Sequence, residues 1–425
     1  MTMFQLLARA LPVLLALAGM LVAAKLAGVL AARLRQPPVI AEIATGLLVG
    51  AVIGTHGTVV HRTLGPLRLI GEAGLVLFLV GAAHEIRNGL ARSRTVASRA
   101  EVGWLAAGAF VIPLISGLSL AGWVMLGGSR SLRGTAPALS FMLLTAIALS
   151  VTAVPVLARI LADRNMMATE DGCLSLAAAV IIDALVWPLL AIAIAAKASA
   201  ASDAIRPMMV LGSAVAAAMV IHVLLRTPVA ARLCVRTSAA APAAIALAGL
   251  AAAATTEHYG LTAILGAILV GLVIPPAGPA APWDDSVHVV ARSGGLLVPV
   301  YFVVTGMTVL HAPFGALPWT AILLATALAL FGKMTGGYLG SRLGGRTQVS
   351  GLRLGVLMST RGLTEIVVLQ AGYSVGILTS ALYAALIIMA LATTTLTAPL
   401  LSIIDRRWGT QEPVSRPNTA IGVGS

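Results

Sequence analysis

The stretch SFMLLTAIALSVTAVPVLARILAD, residues 140–163, is apolar and long enough to cross a membrane, but it contains a proline. A helix needs about 20 mostly apolar residues to cross the hydrocarbon core of a bilayer. Pro155 lacks a backbone donor, and its ring clashes with the preceding turn. Carbonyl groups freed by such a break are not tolerated against lipid, but they can line a cavity or bind an ion. The stretch therefore predicts a broken transmembrane helix.

The composition extends this prediction to the whole chain. Of 425 residues, 59% are hydrophobic and 10% are charged, whereas charged residues make up about a quarter of an ordinary soluble domain. The net charge of +13 does not indicate nucleic-acid binding, because the basic residues fall between apolar segments. Cys173 and Cys234 have no partner at metal-ligand spacing and are interpreted as packing residues. We expect an all-α polytopic membrane protein in contact with lipid, with no cofactor.

Thirteen segments are predicted to be transmembrane helices. The least distinct are 39–55, which is short, and the division between 240–256 and 260–277. The full set is 10–31, 39–55, 68–86, 102–126, 136–160, 172–196, 207–225, 240–256, 260–277, 293–310, 317–341, 352–372 and 378–403.

Basic residues between these segments are distributed unequally. Eighteen lie at ends and in loops on one side, and seven lie on the other. Because Lys and Arg accumulate on the cytoplasmic side, this asymmetry predicts an inner (cytoplasmic) membrane protein with its N-terminus outside and its C-terminus in the cytoplasm. We expect residues 1–410 to form the transporter domain, and 411–425 to form a short disordered cytoplasmic tail.

Asp183 is the most informative ionisable residue within the predicted spans. It lies about 12 residues into its segment, too deep for a short carboxylate to reach water. Removal from water disfavours the charged form of a carboxylate, so such a group can hold a proton and release it when a cation takes its place. Asp183 is therefore the predicted site of a monovalent cation and of the exchanged proton. The alternative is a structural aspartate neutralised by a buried Arg or Lys.

Other ionisable residues within the spans form a short set. Lys333 precedes small residues that let helices approach closely, and it is either a counter-charge or part of the ion-coupling machinery. Arg361 and Glu365 are four residues apart and are predicted to form an ion pair on one helix face. Glu72 is either a packing carboxylate or a pathway carboxylate. The three that lie nearer helix ends are Lys25, Glu42 and His222.

Two predicted spans carry an interruption, one around Pro155 and one at residues 359–362, with an ordinary kink as the alternative for either. They are the fifth and twelfth spans. The fourth and eleventh, and the sixth and thirteenth, are separated by the same odd number, so the two triplets run in opposite directions. Interrupted helices at matching positions of inverted halves indicate a transporter site at the midplane. The predicted ion-binding and coupling residues are Asp183, Thr152, Ser150 and Lys333; the supporting residues are Pro155, Arg361, Glu365 and Glu72.

Several long motifs resemble the monovalent cation:proton antiporter-2 family, which includes bacterial sodium/proton and potassium/proton antiporters and plant cation/proton exchangers. They cover nearly the whole chain and occur in the family's order. They are RQPPVIAEIATGLLVG (35–50), GEAGLVLFLVGAAHEI (71–86), ALSVTAVPVLARILAD (148–163), VYFVVTGMTVL (300–310) and STRGLTEIVVLQAGYSVGILTSALYAALIIMALATTTLTAPLL (359–401).

The resemblance implies the sodium/proton antiporter fold, with two broken helices that cross. It assigns the cation or proton to Asp183, the border of the site to Thr152 and Pro155, a coupling lysine to Lys333, and the organisation of the second broken helix to the RGLTE segment. It also implies a homodimer in which a core bundle, about 102–196 and 317–403, moves against a dimerisation domain.

Ile182 departs from the family pattern. The position before the aspartate is commonly polar in the family, and sodium-pumping electrogenic members carry there a second carboxylate, the usual partner of the lysine. The resemblance, with this change, predicts an electroneutral antiporter of Na⁺ or K⁺. A channel-like cation efflux pathway and a degenerate or organic-cation exporter on the same fold are the alternatives. No nucleotide motif, nucleophile–base pair or metal-spaced His/Cys set indicates an enzyme.

Overall fold

The described part of the computed structural model is helical throughout, with sixteen helices and no strand. It comprises residues 3–33, 36, 38–53, 58–92, 99–127, 130–198, 202–227, 239–259, 261–275, 283–309 and 318–409. The first eight helices are α1 (Met3–Arg33), α2 (Pro38–Ile53), α3 (Thr58–Arg92), α4 (Arg99–Leu126), α5 (Arg130–Arg133), α6 (Ala138–Ser150), α7 (Val154–Asp163) and α8 (Glu170–Ala198). The other eight are α9 (Ser202–Leu225), α10 (Ala241–His258), α11 (Ala263–Val273), α12 (Trp283–Val309), α13 (Trp319–Leu343), α14 (Gln348–Met358), α15 (Leu363–Ser374) and α16 (Ser380–Trp408).

Each predicted span coincides with one of these helices or with a pair of them. By length and composition, eight helical segments of the described part of the chain are suited to cross a membrane, and α6 with α7 counts as one of these. Shorter apolar helical segments lie within α2, α9 and α11. They overlap three of the shorter predicted spans, 39–55, 207–225 and 260–277. The total of thirteen spans stays a prediction. The predicted tail at 411–425 lies outside the described residues.

The interruption near Pro155 separates α6 from α7. Val151 and Ala153 are in extended conformations, and Pro155 lies in the first turn of α7. Proline is favoured there because a backbone N–H in the first turn has no acceptor within the helix. The chain therefore straightens before the proline, and α7 begins with it. The second interruption lies at 359–362, between α14 and α15.

The two interruptions cross and contact each other directly. The N–H of Ala153 donates to the carbonyl of Thr360 at 3.1 Å, and the Thr152 hydroxyl donates to the carbonyl of Met358 at 3.3 Å. Gly362 permits this approach, because a Cβ atom at that position would lie 2.5 Å from Cγ2 of Val156. Backbone groups that each break releases are thus partly satisfied by the other break.

The helices pack into two bundles. The crossing bundle consists of α4, α6–α8 and α13–α16, and the flanking bundle consists of α1–α3 and α9–α12. In the crossing bundle, α4 and α13 lie so close at Gly108 that a Cβ atom there would be 2.4 Å from the carbonyl oxygen of Gly336. Small residues at helix contacts of this kind are typical of membrane proteins. The bundles meet where α8 packs on α3 and α9, and where α7 packs on α2 and α3.

Candidate functional site

Lys333 of α13 is fully buried, and its side chain reaches the C-terminal end of α6. Its ammonium group donates to the carbonyl of Ser150 at 2.6 Å, to the Thr152 hydroxyl at 2.6 Å and to the carbonyl of Ala109 at 3.0 Å. The last carbonyls of a helix have no partner within the helix and carry its negative dipole end. The lysine therefore satisfies oxygens that the break exposes, and no carboxylate of the described residues forms an ion pair with it.

Arg361, which lies in the second break, reaches the same helix end. Its guanidinium donates to the carbonyls of Ala148 and Leu149, at 2.7 and 2.5 Å. Its backbone is held by Thr394 of α16, whose hydroxyl donates to the carbonyl of Arg361 at 2.7 Å and lies 3.0 Å from its N–H. Two cationic side chains thus cap α6 from different segments: Lys333 from α13 and Arg361 from the second break. Sequence reasoning missed Thr394, since a threonine within a helix usually hydrogen-bonds only its own preceding turn.

Arg361 also forms an ion pair with Glu365, at 2.9 Å between Nη1 and Oε1, and both side chains have no exposed surface. The sequence prediction of this ion pair rested on the same spacing of four residues. Glu365 lies in the first turn of α15, where a negative charge is favourable. The second carboxylate oxygen, Oε2, has no hydrogen-bond partner in the described part of the chain.

Asp183 lies in α8, which packs on α6 and α7, and it is 1% exposed. Within the described residues, neither of its carboxylate oxygens accepts a hydrogen bond, and it has no ion pair with Lys or Arg. Trp187 follows one turn later; its indole N–H is close enough to interact with the carboxylate without forming a regular hydrogen bond. Buried polar groups are hydrogen-bonded in most proteins. A carboxylate left free in this way is available to a proton or a cation.

The remaining predicted site residues are placed as follows. The Ser150 hydroxyl donates to carbonyls of its own helix, at Ala146 and Ile147, so it is the Ser150 carbonyl that contacts Lys333. Ile182 is fully buried beside Asp183. Glu72 is separate from the crossing point: it pairs with Arg68, one turn away on α3, at 2.7 Å.

Comparisons with known proteins identify the family to which the chain belongs. A family model described as "Sodium/hydrogen exchanger, transmembrane" matches residues 20–404. Cation/H(+) antiporter 18 of Arabidopsis thaliana is 32% identical over 387 residues, which are 87% of this chain and 46% of that protein. Na(+)/H(+) antiporter NhaS4 of Synechocystis sp. is 29% identical over 402 residues, 89% of this chain and 93% of that protein. The chain spans about half the length of the plant relatives that it matches.

The fold is also that of a solved structure. The sodium proton antiporter MjNhaP1 of Methanocaldococcus jannaschii superimposes with a TM-score of 0.64, covering 97% of this chain and 100% of that one at 15% identity. At this identity the likeness concerns the fold, and it confirms the predicted all-helical antiporter architecture. Because the family model matches nearly the whole chain, the resemblance seen in the motifs is confirmed: this protein belongs to the sodium/hydrogen exchanger family of transmembrane proteins.

Proposed function

We propose that this chain is a secondary antiporter that exchanges a monovalent cation, Na⁺ or K⁺, for protons, and that Asp183 carries both. The observation that carries this proposal is the buried carboxylate of Asp183, which has no hydrogen bond and no cationic partner among the described residues. The relatives named above as cation/H(+) and Na(+)/H(+) antiporters support the same reaction.

The exchange at Asp183 follows from charge and solvation. An ionised carboxylate in an apolar site is costly unless a cation or a proton neutralises it. Either ligand lowers that cost, but one carboxylate cannot be neutralised by both at once. Occupancy by a cation therefore expels the proton, and occupancy by a proton expels the cation. Coupled exchange needs no further chemistry, provided that the empty, charged form does not cross the membrane.

Lys333 and Arg361 act as fixed charges where the two breaks cross. They neutralise the carbonyl end of α6, so those carbonyls do not compete for the transported cation. Glu365 in turn balances Arg361. The positive charge that is left on Lys333 disfavours a second cation near the crossing point. We infer that this arrangement limits the site to one monovalent cation.

The stoichiometry follows from Ile182. With an isoleucine in place of a second carboxylate, one cation is exchanged for one proton, and the cycle is electroneutral. We further propose an inner-membrane homodimer with its N-terminus outside. The crossing bundle then carries the ion, while the flanking bundle contributes the dimer contact and stays fixed.

Reconstituted protein tests the proposal. Proteoliposomes containing a pH-sensitive dye are exposed to a Na⁺, K⁺ or Li⁺ gradient, and dequenching of the dye reports proton movement. Cation-driven proton flux in the wild type, absent from empty liposomes, supports the antiporter. Cation flux without proton movement would favour a channel-like pathway. The absence of flux with all three inorganic cations would favour a degenerate or organic-cation exporter.

A further inference from the structure

A cavity of about 210 Å³ lies between the flanking and crossing bundles; we call it the Arg68 cavity. Its flanking-bundle wall comes from α3, from the end of α10 with the start of α11, and from α12. Its crossing-bundle wall comes from α8 and α15. The polar residues on which its properties depend are Arg68, Glu72, Glu257, Tyr301, Trp187 and Thr364.

The mouth of the cavity carries a guanidinium that pairs with one carboxylate and lies within electrostatic range of a second. Arg68 donates from Nε to Oε1 of Glu72 at 2.7 Å, and the two side chains are 66% and 30% exposed. Glu257 is exposed and acts electrostatically on Arg68, but in the described part of the chain it forms no ion pair of its own. Two carboxylates and one guanidinium leave one negative charge. Arg68 therefore occupies the place that a free monovalent cation would take.

The deep wall approaches the carboxylate assigned to ion exchange. Trp187 lines the cavity and lies one helical turn from Asp183 on α8. Thr364 lines it from α15, is 2% exposed, and its hydroxyl has no hydrogen-bond partner among the described residues. An unpartnered buried hydroxyl in a cavity that also contains carboxylates is a ready ligand for a cation or for its hydration water.

The opposite end of the same bundle interface is tied together instead. Arg159 of α7 lies 3.4 Å from Glu42 of α2, and it also lies 3.4 Å from Asp163 on its own helix. Glu42 lies in the first third of α2 and Arg68 in the first third of α3, and consecutive membrane-spanning helices run in opposite directions, so the two contacts lie towards opposite sides of the bundle. The cavity is thus accessible from the side where α3 begins.

We propose that the Arg68 cavity is a loading site for the transported cation on that side, and that the guanidinium of Arg68 competes with this cation for the carboxylates of the cavity. A cation binds between Glu72 and Glu257 by displacing the guanidinium, and Thr364 leads it towards Asp183. This inference rests on the proposed antiport. It assigns Glu72 and Glu257 to cation binding and Arg68 to the control of apparent affinity.

Transport kinetics provide the first test. In Arg68→Gln, the cation concentration for half-maximal exchange from the α3 side should fall about fivefold, the effect of one unit charge at about 4 Å in water. In Glu72→Gln the cation concentration for half-maximal exchange should rise by a similar factor. The maximal exchange rate should change less than this in either variant. Arg133→Gln removes the same charge from α5, where the guanidinium lies over Phe141, and should change nothing. Equal half-saturation in Arg68→Gln and the wild type would overturn the inference without affecting the antiport.

Cysteine labelling tests the cavity without transport. Val367 lines it and is 48% exposed. Val367→Cys is placed in a chain with Asp183→Asn and with Cys173 and Cys234 replaced by serine. The rates of reaction with a cationic and a neutral methanethiosulfonate are then compared in Na⁺, K⁺ and choline.

Na⁺ or K⁺ should slow the cationic reagent selectively relative to choline, and Arg68→Gln should accelerate it about fivefold. If the ratio of the cationic to the neutral labelling rate responds neither to the cation nor to Arg68→Gln, the proposal of a loading site is overturned. A response in a protein whose wild type exchanges no cation would retain the site and contradict the proposed antiport.

Discussion

Asp183 and Glu365 are both buried carboxylates of the crossing bundle, yet their surroundings are opposite. Glu365 is 2.9 Å from Arg361, which also caps α6, so its charge is balanced within the fold. Asp183 is 1% exposed and has no hydrogen bond or basic partner in the described residues. A carboxylate that is already neutralised by an arginine stabilises the fold and gains little free energy from binding a cation. A carboxylate without a basic partner is neutralised only when it binds a cation or a proton. We therefore interpret Glu365 as part of a structural ion pair, whereas the proposed transport role falls to Asp183.

The largest expected effect is on exchange. Asp183→Asn removes the titrating group and should reduce cation-driven proton movement to the level of empty liposomes, while the protein inserts and unfolds at no lower temperature than the wild type. The stability is retained because no ion pair is broken. Exchange near the wild-type rate in the purified variant would exclude Asp183 as the carrier.

Breaking the balanced pair should act on stability instead. Arg361→Gln leaves Glu365 as an uncompensated buried charge, and removal of one partner of a buried pair costs about 3–5 kcal/mol. Unfolding followed by intrinsic fluorescence in mixed micelles measures the loss, with Asp183→Asn as the matched substitution in which no pair is lost. Equal stability of the two variants would contradict the contrast between the sites.

Lys333→Gln is expected to have an intermediate effect. Its ammonium donates three hydrogen bonds to oxygens and a glutamine amide can donate two, so the substitution removes one hydrogen bond to a charged group, which costs about 1.5–3 kcal/mol. Because no carboxylate of the described residues pairs with it, we expect lower thermal stability, residual exchange and an unchanged pH profile. Lys25→Gln, on an exposed face of α1, is the control and should change none of these.

The pH profile distinguishes the two roles of this lysine. A shifted profile or stoichiometry in Lys333→Gln would assign Lys333 to proton coupling. Unchanged stability together with an unchanged profile would remove it from the site.

The smallest expected effect is that of membrane potential, which should be zero. One carboxylate that exchanges one cation for one proton moves no net charge, whereas an uncompensated charge is worth about 2.3 kcal/mol per 100 mV. A valinomycin-clamped potential should leave a Na⁺ or Li⁺ gradient across reconstituted membranes unchanged. A transport current, or a gradient that follows the voltage, would identify Lys333 as a second proton carrier.

The sites of the two breaks could be predicted, but their contacts could not. Pro155 and the polar residues at 359–362 mark interruptions in otherwise apolar runs, and the structure has α7 and α15 begin at them. The partners of Lys333 were not visible, because the carbonyl groups of Ser150 and Ala109 carry no residue-specific signal. The sequence also groups Glu72 with the crossing residues, whereas it lies in the Arg68 cavity. Depth along a span predicts burial, but not which neighbouring helix a side chain faces.

The apolar pattern alone specifies a helical membrane protein and the positions of its breaks, because both depend on local composition. It also marks the buried ionisable residues as candidates for a functional or paired role, because burying a charge in lipid is costly. Tertiary structure decides which charge is balanced. Arg361 comes from the second break and Lys333 from α13 to the end of α6, whereas Asp183 of α8 has no hydrogen-bond or ion-pair partner among the described residues. Pairing depends on distances between segments separated by up to about two hundred residues, which only the packing of the helices determines.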